Sequence, residues 1–139
     1  MFVYNLRCES MINPMGISIL KPRLTWNLRA EKRGVFQKAF RVIVEKELSG
    51  QENSRKKIFD SGLIETKEAA CLLDKVVLES GTRYFWNAEV TDQDGMVWTA
   101  PETAWFEMGL LHQSDWKAKW IEPEQTPVFR EEWDIAKEM

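Results

Sequence analysis

Histidine and cysteine are scarce in this sequence of 139 residues, which has one histidine and two cysteines. A catalytic general base needs an orienting partner and a nucleophile or a water molecule within reach. His112 has only Ser114 and Asp115 nearby, and these lie too close in sequence to complete a triad with it. We interpret Ser114 and Asp115 as a turn or a helix cap before Trp116. The sequence therefore argues against a stand-alone hydrolase.

The two cysteines, Cys8 and Cys71, do not lie at a metal-ligand spacing. Both fall in apolar, strand-like segments, which favours buried free thiols and leaves a single disulfide as the alternative. Residues 1–11 lack the continuous apolar run of a signal peptide, and no later stretch approaches the ~20 apolar residues of a membrane span. We expect a cytoplasmic protein with no membrane partner and no cofactor.

Positive charge is not concentrated anywhere in the chain. The 19 Lys and Arg residues and 22 Asp and Glu residues give a formal net charge of −3, whereas binding to a nucleic-acid backbone requires a basic patch. The densest basic run, Arg55-Lys56-Lys57, follows a polar stretch and is typical of a solvated surface. Nucleic acid is therefore not an expected partner.

One acidic segment has the composition of a calcium loop. With Gly95 at the sixth position of an EF-hand, Val90 would stand first, where an acidic ligand is required. The segment instead predicts a hairpin turn, in which Asp94 and Gly95 favour the primed geometry. Adventitious, weak calcium binding is the remote alternative.

Paired carboxylates are plentiful, for example Glu45 with Glu47 and Glu131 with Glu132. A glycosidase needs two carboxyl groups held in a substrate cleft with opposed environments. Nothing in the spacing of these pairs places two of them in that way. No catalytic, metal-binding or cofactor-binding residue is therefore predicted, and residues that bind substrate stay unknown.

The strongest positive signal is a turn that leads into an aromatic strand. Gly81 lies in the turn, and Tyr84, Trp86, Ala88 and Val90 then share one face of an alternating pattern. Tyr84 follows the apolar Leu78 by six residues, which is typical of the tyrosine corner of Greek-key sandwiches. We predict that its ring enters the core and that its hydroxyl bonds to the preceding backbone.

Other segments show strand patterns, separated by turn chemistry around Asn13, Gly34 and Gly95. We expect Asn13, which precedes a proline, to be extended, and residues 48–57 to form a loop. On the first strand we expect Phe2, Tyr4, Leu6 and Cys8 to share one face. The predicted strands cover residues 2–8, 24–29, 40–45, 58–62, 71–77, 84–91 and 104–108. About seven strands at this spacing predict an all-β, fibronectin type III or immunoglobulin-like antiparallel β-sandwich.

The chain divides into two parts by this reasoning. Residues 1–110 form the sandwich, and residues 111–139 form a connector and the first strand of a following, truncated β-domain. Residues 111–139 contain four aromatic side chains: Trp116, Trp120, Phe129 and Trp133. Because exposed apolar patches tend to find a partner surface, we expect residues 111–139 to pack on the sandwich or to form a homodimer.

The seven tryptophans raise the question of a sugar-binding surface. Trp26, Trp86 and Trp105 occupy positions that face the core or cover a sheet. Trp98 lies near a loop and is the best candidate for exposure. We predict structural roles for most of these rings rather than a platform for sugars.

Six motifs occur in a fixed order along the chain. They are Asn13-Pro14-Met15-Gly16-Ile17, Lys21-Pro22-Arg23-Leu24-Thr25-Trp26, Phe59-Asp60-Ser61-Gly62, Ser80-Gly81-Thr82-Arg83-Tyr84-Phe85-Trp86, Trp105-Phe106-Glu107-Met108-Gly109-Leu110-Leu111 and Asp115-Trp116-Lys117-Ala118-Lys119-Trp120-Ile121. Together they resemble one family, the amino-terminal region of bacterial α-L-rhamnosidases. The resemblance runs from about residue 13 to residue 133, and the order of the motifs is far more specific than any one of them.

The resemblance implies a noncatalytic accessory domain. In that family a fibronectin-like sandwich leads into further β-domains and an α-helical toroid, where carboxylates hydrolyse terminal α-L-rhamnosides with inversion. No position of this chain matches the family's catalytic acid or base. The expected partners are the downstream domains of the parent enzyme. An independent carbohydrate-binding or protein-binding module is the alternative, and it requires an exposed aromatic or polar site on the folded sandwich.

Overall fold

A computed structural model describes residues 1–49 and 54–118 of the chain. These residues form two antiparallel sheets, with three strands in the order β1-β2-β6 and six strands built on the order β4-β3-β7-β8, in which β5 also pairs with β3 and β9 with β7. The strands are β1 (Phe2–Cys8), β2 (Arg23–Arg29), β3 (Gln37–Glu47), β4 (Arg55–Asp60), β5 (Ile64–Glu65), β6 (Ala70–Leu72), β7 (Arg83–Asp92), β8 (Val97–Thr99) and β9 (Ala104–Glu107). The predicted β-sandwich is confirmed, with nine strands in the described residues instead of about seven.

The core is one cluster of buried side chains contributed by both sheets. Alternation on β2, β3 and β7 places every second side chain in this cluster, because successive residues of a strand point to opposite faces. The predicted inward faces of these three strands are confirmed by the burial of Leu24, Trp26, Phe40, Val42, Val44, Tyr84, Trp86, Ala88 and Val90. Within the described residues, no helix is long and apolar enough to cross a membrane.

Strand β1 does not follow the simple alternation that we expected. Val3 is buried, whereas Phe2 and Tyr4 are exposed. Two residues of β1, Asn5 and Leu6, lie opposite a single residue of β2, because Tyr4 pairs with Asn27 and Arg7 with Thr25. Asn5 has a left-handed backbone with φ 54°. This β-bulge shifts the face of the strand by one residue, so that Val3, Leu6 and Cys8 all reach the core.

The basic run belongs to a strand and not to the loop predicted over residues 48–57. Strand β4 begins at Arg55, and Lys56 and Lys57 pair with Lys46 and Glu45 of the long strand β3. The backbone of β3 offers hydrogen-bonding groups along its whole edge, which extends β4 beyond its apolar residues. The three basic side chains are exposed.

The strand predicted over residues 71–77 is much shorter. Strand β6 ends at Leu72, after which the N–H of Leu73 donates to the carbonyl oxygen of Pro22 at 3.0 Å. The N–H of Asp74 donates a hydrogen bond to the carbonyl oxygen of Leu72 at 3.1 Å. Leu73 is completely buried, so its side chain anchors a turn and does not continue the strand.

Two turns have different backbones from those predicted. In the β7-β8 hairpin only Gly95 has a positive φ, 83°, and its N–H donates to the carbonyl oxygen of Asp92 at 3.1 Å. This is a type I turn followed by a left-handed glycine, and the primed turn would require a positive φ at Asp94 as well. Asn13 is left-handed with φ 44° instead of extended.

Both thiols are buried and free. Cys8 and Cys71 pair with the same residue, Leu24, from opposite sides in the three-stranded sheet. Burial raises the pKa of Cys8 to about 12 and that of Cys71 to about 11. These two residues therefore act as small apolar core residues, as the sequence favoured.

Candidate interdomain surface

Tyr84 fixes the loop at one end of the sandwich. Its side chain is completely buried, and its ring stacks on Phe106 with a centroid separation of 5.3 Å. Its hydroxyl oxygen accepts a hydrogen bond at 2.8 Å from the backbone N–H of Glu79. Burial of the ring raises the pKa of the Tyr84 hydroxyl. The predicted corner is therefore present, and it holds residues 79–82 against the end of β7.

Residues 79–82 in turn hold the segment that follows β9. The N–H of Gly81 donates to the carbonyl oxygen of Gly109 at 3.1 Å, and the N–H of Met108 donates to that of Thr82 at 3.0 Å. On the opposite side, the N–H of Gly109 donates to the carbonyl oxygen of Ile17 at 2.8 Å. Three separate loops therefore meet at Gly109, and we call this region the exit end.

Close packing favours a glycine at position 109. A Cβ atom at this position would lie 3.0 Å from the backbone oxygen of Gly16. Such a contact is too short for a carbon and a carbonyl oxygen that cannot move apart. The close approach of the two glycines is therefore part of the exit end.

Ser80 ties the connector to the sandwich. Its hydroxyl accepts a hydrogen bond from the N–H of Leu111 at 2.9 Å and donates one to the carboxylate of Asp115 at 2.5 Å. The same carboxylate accepts the N–H of His112 at 3.0 Å, which caps the 3₁₀ turn Gln113–Asp115 as predicted. The hydrogen bond from Ser80 is the main cause that lowers the pKa of Asp115. These bonds set the direction in which the chain leaves the sandwich.

Two ion pairs lie at the exit end. Lys46 forms an ion pair with Glu79, and Arg83 pairs with Glu107 at 2.9 Å. Ion pairs of this kind, which are partly exposed, contribute little to stability. Within each pair the charges cancel, and a charged ligand would have to displace one of the partners.

Exposed apolar side chains concentrate in the loops that meet at the exit end and in the connector. Among the described residues, sixteen large hydrophobic side chains are exposed. Eight of them lie in residues 9–22, 73–82 and 110–116: Met11, Ile12, Met15, Ile19, Leu20, Val77, Leu110 and Trp116. Half of the exposed large hydrophobic side chains of the described residues therefore lie in these three segments.

The structure brings together no catalytic set from the residues considered in the sequence. His112 is exposed, and its backbone, not its ring, is the group that Asp115 binds. Glu45 and Glu47 both lie on β3, and Glu47 lines a surface depression in which Lys46 and Glu79 form an ion pair. No cluster of three potential metal ligands occurs within residues 1–49 and 54–118. Glu131 and Glu132 lie outside the described residues.

Most tryptophans within the described residues are buried or in contact with other side chains. The prediction that Trp98 is the best candidate for exposure is wrong. Trp98 is half-buried, because its indole N–H donates to the buried carboxylate of Asp92 at 2.9 Å. The ring of Trp105 is covered by the guanidinium of Arg83, 4.1 Å from its centroid. Trp116 is 64% exposed, whereas Trp120 and Trp133 lie outside the described part of the chain.

The contacts at the exit end depend on residues that the sequence did not single out for this role. Ser80 and Gly109 appear in the sequence only as members of motifs. Their partners, Asp115 and Gly16, are 35 and 93 residues away. The one signal in the sequence for the role of Ser80 was its position as a small hydroxyl residue next to the turn glycine Gly81.

The sequence and the fold match those of one enzyme family. A family described as the Rha78A-like, N-terminal immunoglobulin domain matches residues 3–112. An α-L-rhamnosidase of Streptomyces avermitilis is 34% identical over 116 residues, which cover 81% of this chain and 11% of that protein. An α-L-rhamnosidase of Formosa agariphila is 30% identical over 111 residues, covering 78% of this chain and 12% of the relative.

A solved structure gives the same result. The α-L-rhamnosidase from Dictyoglumus thermophilum superposes with a TM-score of 0.78 and 28% identity, over 90% of this chain and 14% of that one. The chain therefore spans only about an eighth of the length of the relatives it matches. Its immunoglobulin-like fold, the matched family and the position of the match identify this chain as a member of the Rha78A-like N-terminal immunoglobulin domain family.

Proposed function

We propose that this chain is a noncatalytic N-terminal accessory domain of an α-L-rhamnosidase, and that the full-length protein hydrolyses terminal α-L-rhamnosides. The observation that carries the proposal is the match of residues 3–112 to the N-terminal immunoglobulin domain of such enzymes. The domain supports the enzyme by packing, because its described residues offer exposed apolar side chains at the exit end and no catalytic pair of carboxylates.

The connector gives this role a physical basis. Ser80 holds Leu111 and Asp115, so the chain leaves the sandwich in a fixed direction. A following domain then starts beside the exposed Leu110 and Trp116. Burial of these side chains against the downstream domain lowers the free energy of the joined arrangement. The partners proposed for this domain are therefore the downstream domains of its own polypeptide.

Hydrolysis assays with an aryl α-L-rhamnoside test the proposal. The isolated chain is expected to show no turnover, and the full-length product of its gene is expected to be active. Deletion of residues 1–110 from the full-length protein should lower its thermal stability while leaving its catalytic carboxylates in place. Turnover by the purified chain that disappears on mutation of one of its own acidic residues would refute the noncatalytic role.

Residues 111–139, which we call the tail, are proposed as a second contact region, through which the isolated chain forms a homodimer. The observation that favours a dimer is the exposure of Trp116, 64% of whose surface is free in the single chain. A large exposed indole is often covered by a partner surface. Light scattering coupled to gel filtration tests it. The dimer is expected to disappear on removal of residues 111–139, and a monomer before removal rejects it.

An independent carbohydrate-binding module is the alternative function. Trp98 and Trp105 do not favour it, because the first ring is half-buried and the second is covered by Arg83. A different aromatic residue, Tyr4, lines a cleft with unpartnered polar groups. That cleft is the specific observation in favour of sugar binding.

A further inference from the structure

Two of the larger surface depressions of the sandwich contain ion pairs. A depression of about 540 Å³ contains Arg41, which bonds to Asp60 at 2.5 Å and lies 3.7 Å from Glu89. A second, of about 810 Å³, contains the Lys46 and Arg83 ion pairs of the exit end. A ligand would have to displace these intramolecular partners, so neither depression favours a polar ligand.

A smaller cleft of about 220 Å³ lies between β1 and the segment that joins β8 to β9. Its floor and walls include apolar residues, and one aromatic ring, that of Tyr4, lines it while 45% of its surface is exposed. The polar residues that line the cleft are Asn5, Asn13, Glu102 and Thr103. The cleft therefore offers an apolar ring face and hydrogen-bonding groups within one small space.

The two asparagines of this cleft are held in fixed positions. The side-chain oxygen of Asn5 accepts a hydrogen bond from Nε of Arg7 at 3.0 Å. The side-chain oxygen of Asn13 accepts one from the backbone N–H of Trp105 at 3.0 Å. Both residues have a left-handed backbone, a conformation that asparagine adopts more readily than most residues other than glycine.

These bonds engage the oxygen of each amide and leave its NH₂ group unused. Among the described residues, the Nδ2 atoms of Asn5 and Asn13 have no hydrogen-bond partner, and neither do the side-chain oxygens of Tyr4, Glu102 and Thr103. The residues that line the cleft thus offer two amide donors, a carboxylate acceptor and two hydroxyl groups that can donate or accept. Orientation before binding reduces the entropy that a ligand must lose.

We propose that the Tyr4 cleft binds the ring of a neutral sugar. An apolar ring face suits the C–H face of a sugar, and the donors and acceptors suit its hydroxyl groups. The residues that line the cleft include no basic side chain, which disfavours an anionic ligand. The volume is below the roughly 300–1,000 Å³ of typical small-molecule sites, so the cleft accepts one ring of a saccharide.

Amide chemical shifts of the isolated chain test the site during titration with L-rhamnose, D-glucose and D-galactose. The choice of L-rhamnose as a test sugar rests on the proposed function. The inference that the cleft binds a sugar does not depend on that function. We expect shifts confined to residues 4–6, 12–13 and 100–104, measured up to about 50 mM sugar because a single-ring site has a weak Kd. Shifts at the cleft with any of these sugars support the site, whatever the full-length enzyme hydrolyses.

Two variants and one control connect the shifts to the cleft. Tyr4→Ala is expected to weaken binding at least about tenfold. Asn5→Gly, which permits the left-handed backbone but removes the amide donor, should also weaken it. Phe2→Ala removes the other exposed aromatic ring of β1 and should leave binding unchanged. Absence of shifts with all three sugars, or equal shifts in Tyr4→Ala, overturns the proposal and leaves the hydrolysis assays unaffected.

Discussion

The hydroxyl oxygen of Tyr84 accepts a hydrogen bond from the backbone N–H of Glu79, five residues earlier in the chain, at 2.8 Å. The bond joins the start of the long strand β7 to the loop before it, and residues 80–82 of that loop bond to residues 108–111. One buried phenol thus stabilises both the core and the position from which the chain leaves the sandwich.

Replacement of Tyr84 by phenylalanine should destabilise the domain by roughly 1–3 kcal/mol, because it leaves the N–H of Glu79 without its partner. Chemical denaturation measures the change in the free energy of unfolding. Tyr4→Phe is the matched control, since Tyr4 is the other tyrosine of the chain and is exposed. Equal midpoints for wild type and Tyr84→Phe would refute the corner.

Gly109→Ala should destabilise the domain by about 1 kcal/mol or more through overpacking. The new Cβ would lie 3.0 Å from the backbone oxygen of Gly16. Gly16 cannot retreat easily, because its neighbours Pro14 and Ile17 are hydrogen-bonded to Glu107 and Gly109. Thermal unfolding measures the loss, with the exposed Leu110→Ala as the control. A stabilised Gly109→Ala protein would show that the contact relaxes.

Asp92→Asn should lower the free energy of unfolding at neutral pH. It should also make that free energy less dependent on pH in the acid range. The Asp92 carboxylate accepts the indole N–H of Trp98 and the backbone N–H groups of Asp94 and Met96, and the Trp98 bond is the main cause that lowers its pKa. A lowered pKa stabilises the folded protein above the ordinary aspartate pKa of 3.8. This contribution disappears as the pH falls through the folded-state value.

Urea unfolding at a series of pH values below about 5 measures this dependence. The exposed Asp94→Asn is the control, and it should retain the acid sensitivity of the wild type. If Asp92→Asn and wild type lose stability in parallel as the pH falls, Asp92 does not contribute to the acid sensitivity.

Cys8 and Cys71 should react slowly with a thiol reagent at pH 8. Burial raises their pKa values to about 12 and about 11, so only a very small fraction of either thiol is ionised, and the thiolate is the reactive form. Denaturant should expose both and restore ordinary rates. Cys71→Ser allows Cys8 to be followed alone. Rapid labelling of the native protein would contradict the buried positions.

The boundary near Leu110 stays a prediction, and truncation tests it. A chain that ends at Leu110 should fold and should not form a tail-dependent dimer. A chain that ends at Lys117 retains the bonds of Ser80 to Leu111 and Asp115, and it should be more stable by about 1 kcal/mol. Circular dichroism and urea unfolding compare them. If the shorter chain fails to fold, residues 111–117 belong to the sandwich.

The amino-acid sequence was sufficient to predict the fold class, the strands β2, β3 and β7 and the tyrosine corner. In these elements the signal is local. Each strand shows an alternation with a period of two residues in its own sequence, and Tyr84 bonds to Glu79 in the loop directly before its strand. The resemblance to rhamnosidases also depended only on the order of motifs.

The tertiary structure alone decided where alternation fails and which surface groups are unpaired. The bulge at Asn5 arises from pairing with β2, the start of β4 from pairing with β3, and the burial of Trp98 from a bond to Asp92. The contacts of Ser80 and Gly109 join residues that are distant in sequence. A sequence pattern gives the period of a strand but not its partner, and the partner determines register, exposure and the remaining hydrogen-bonding capacity.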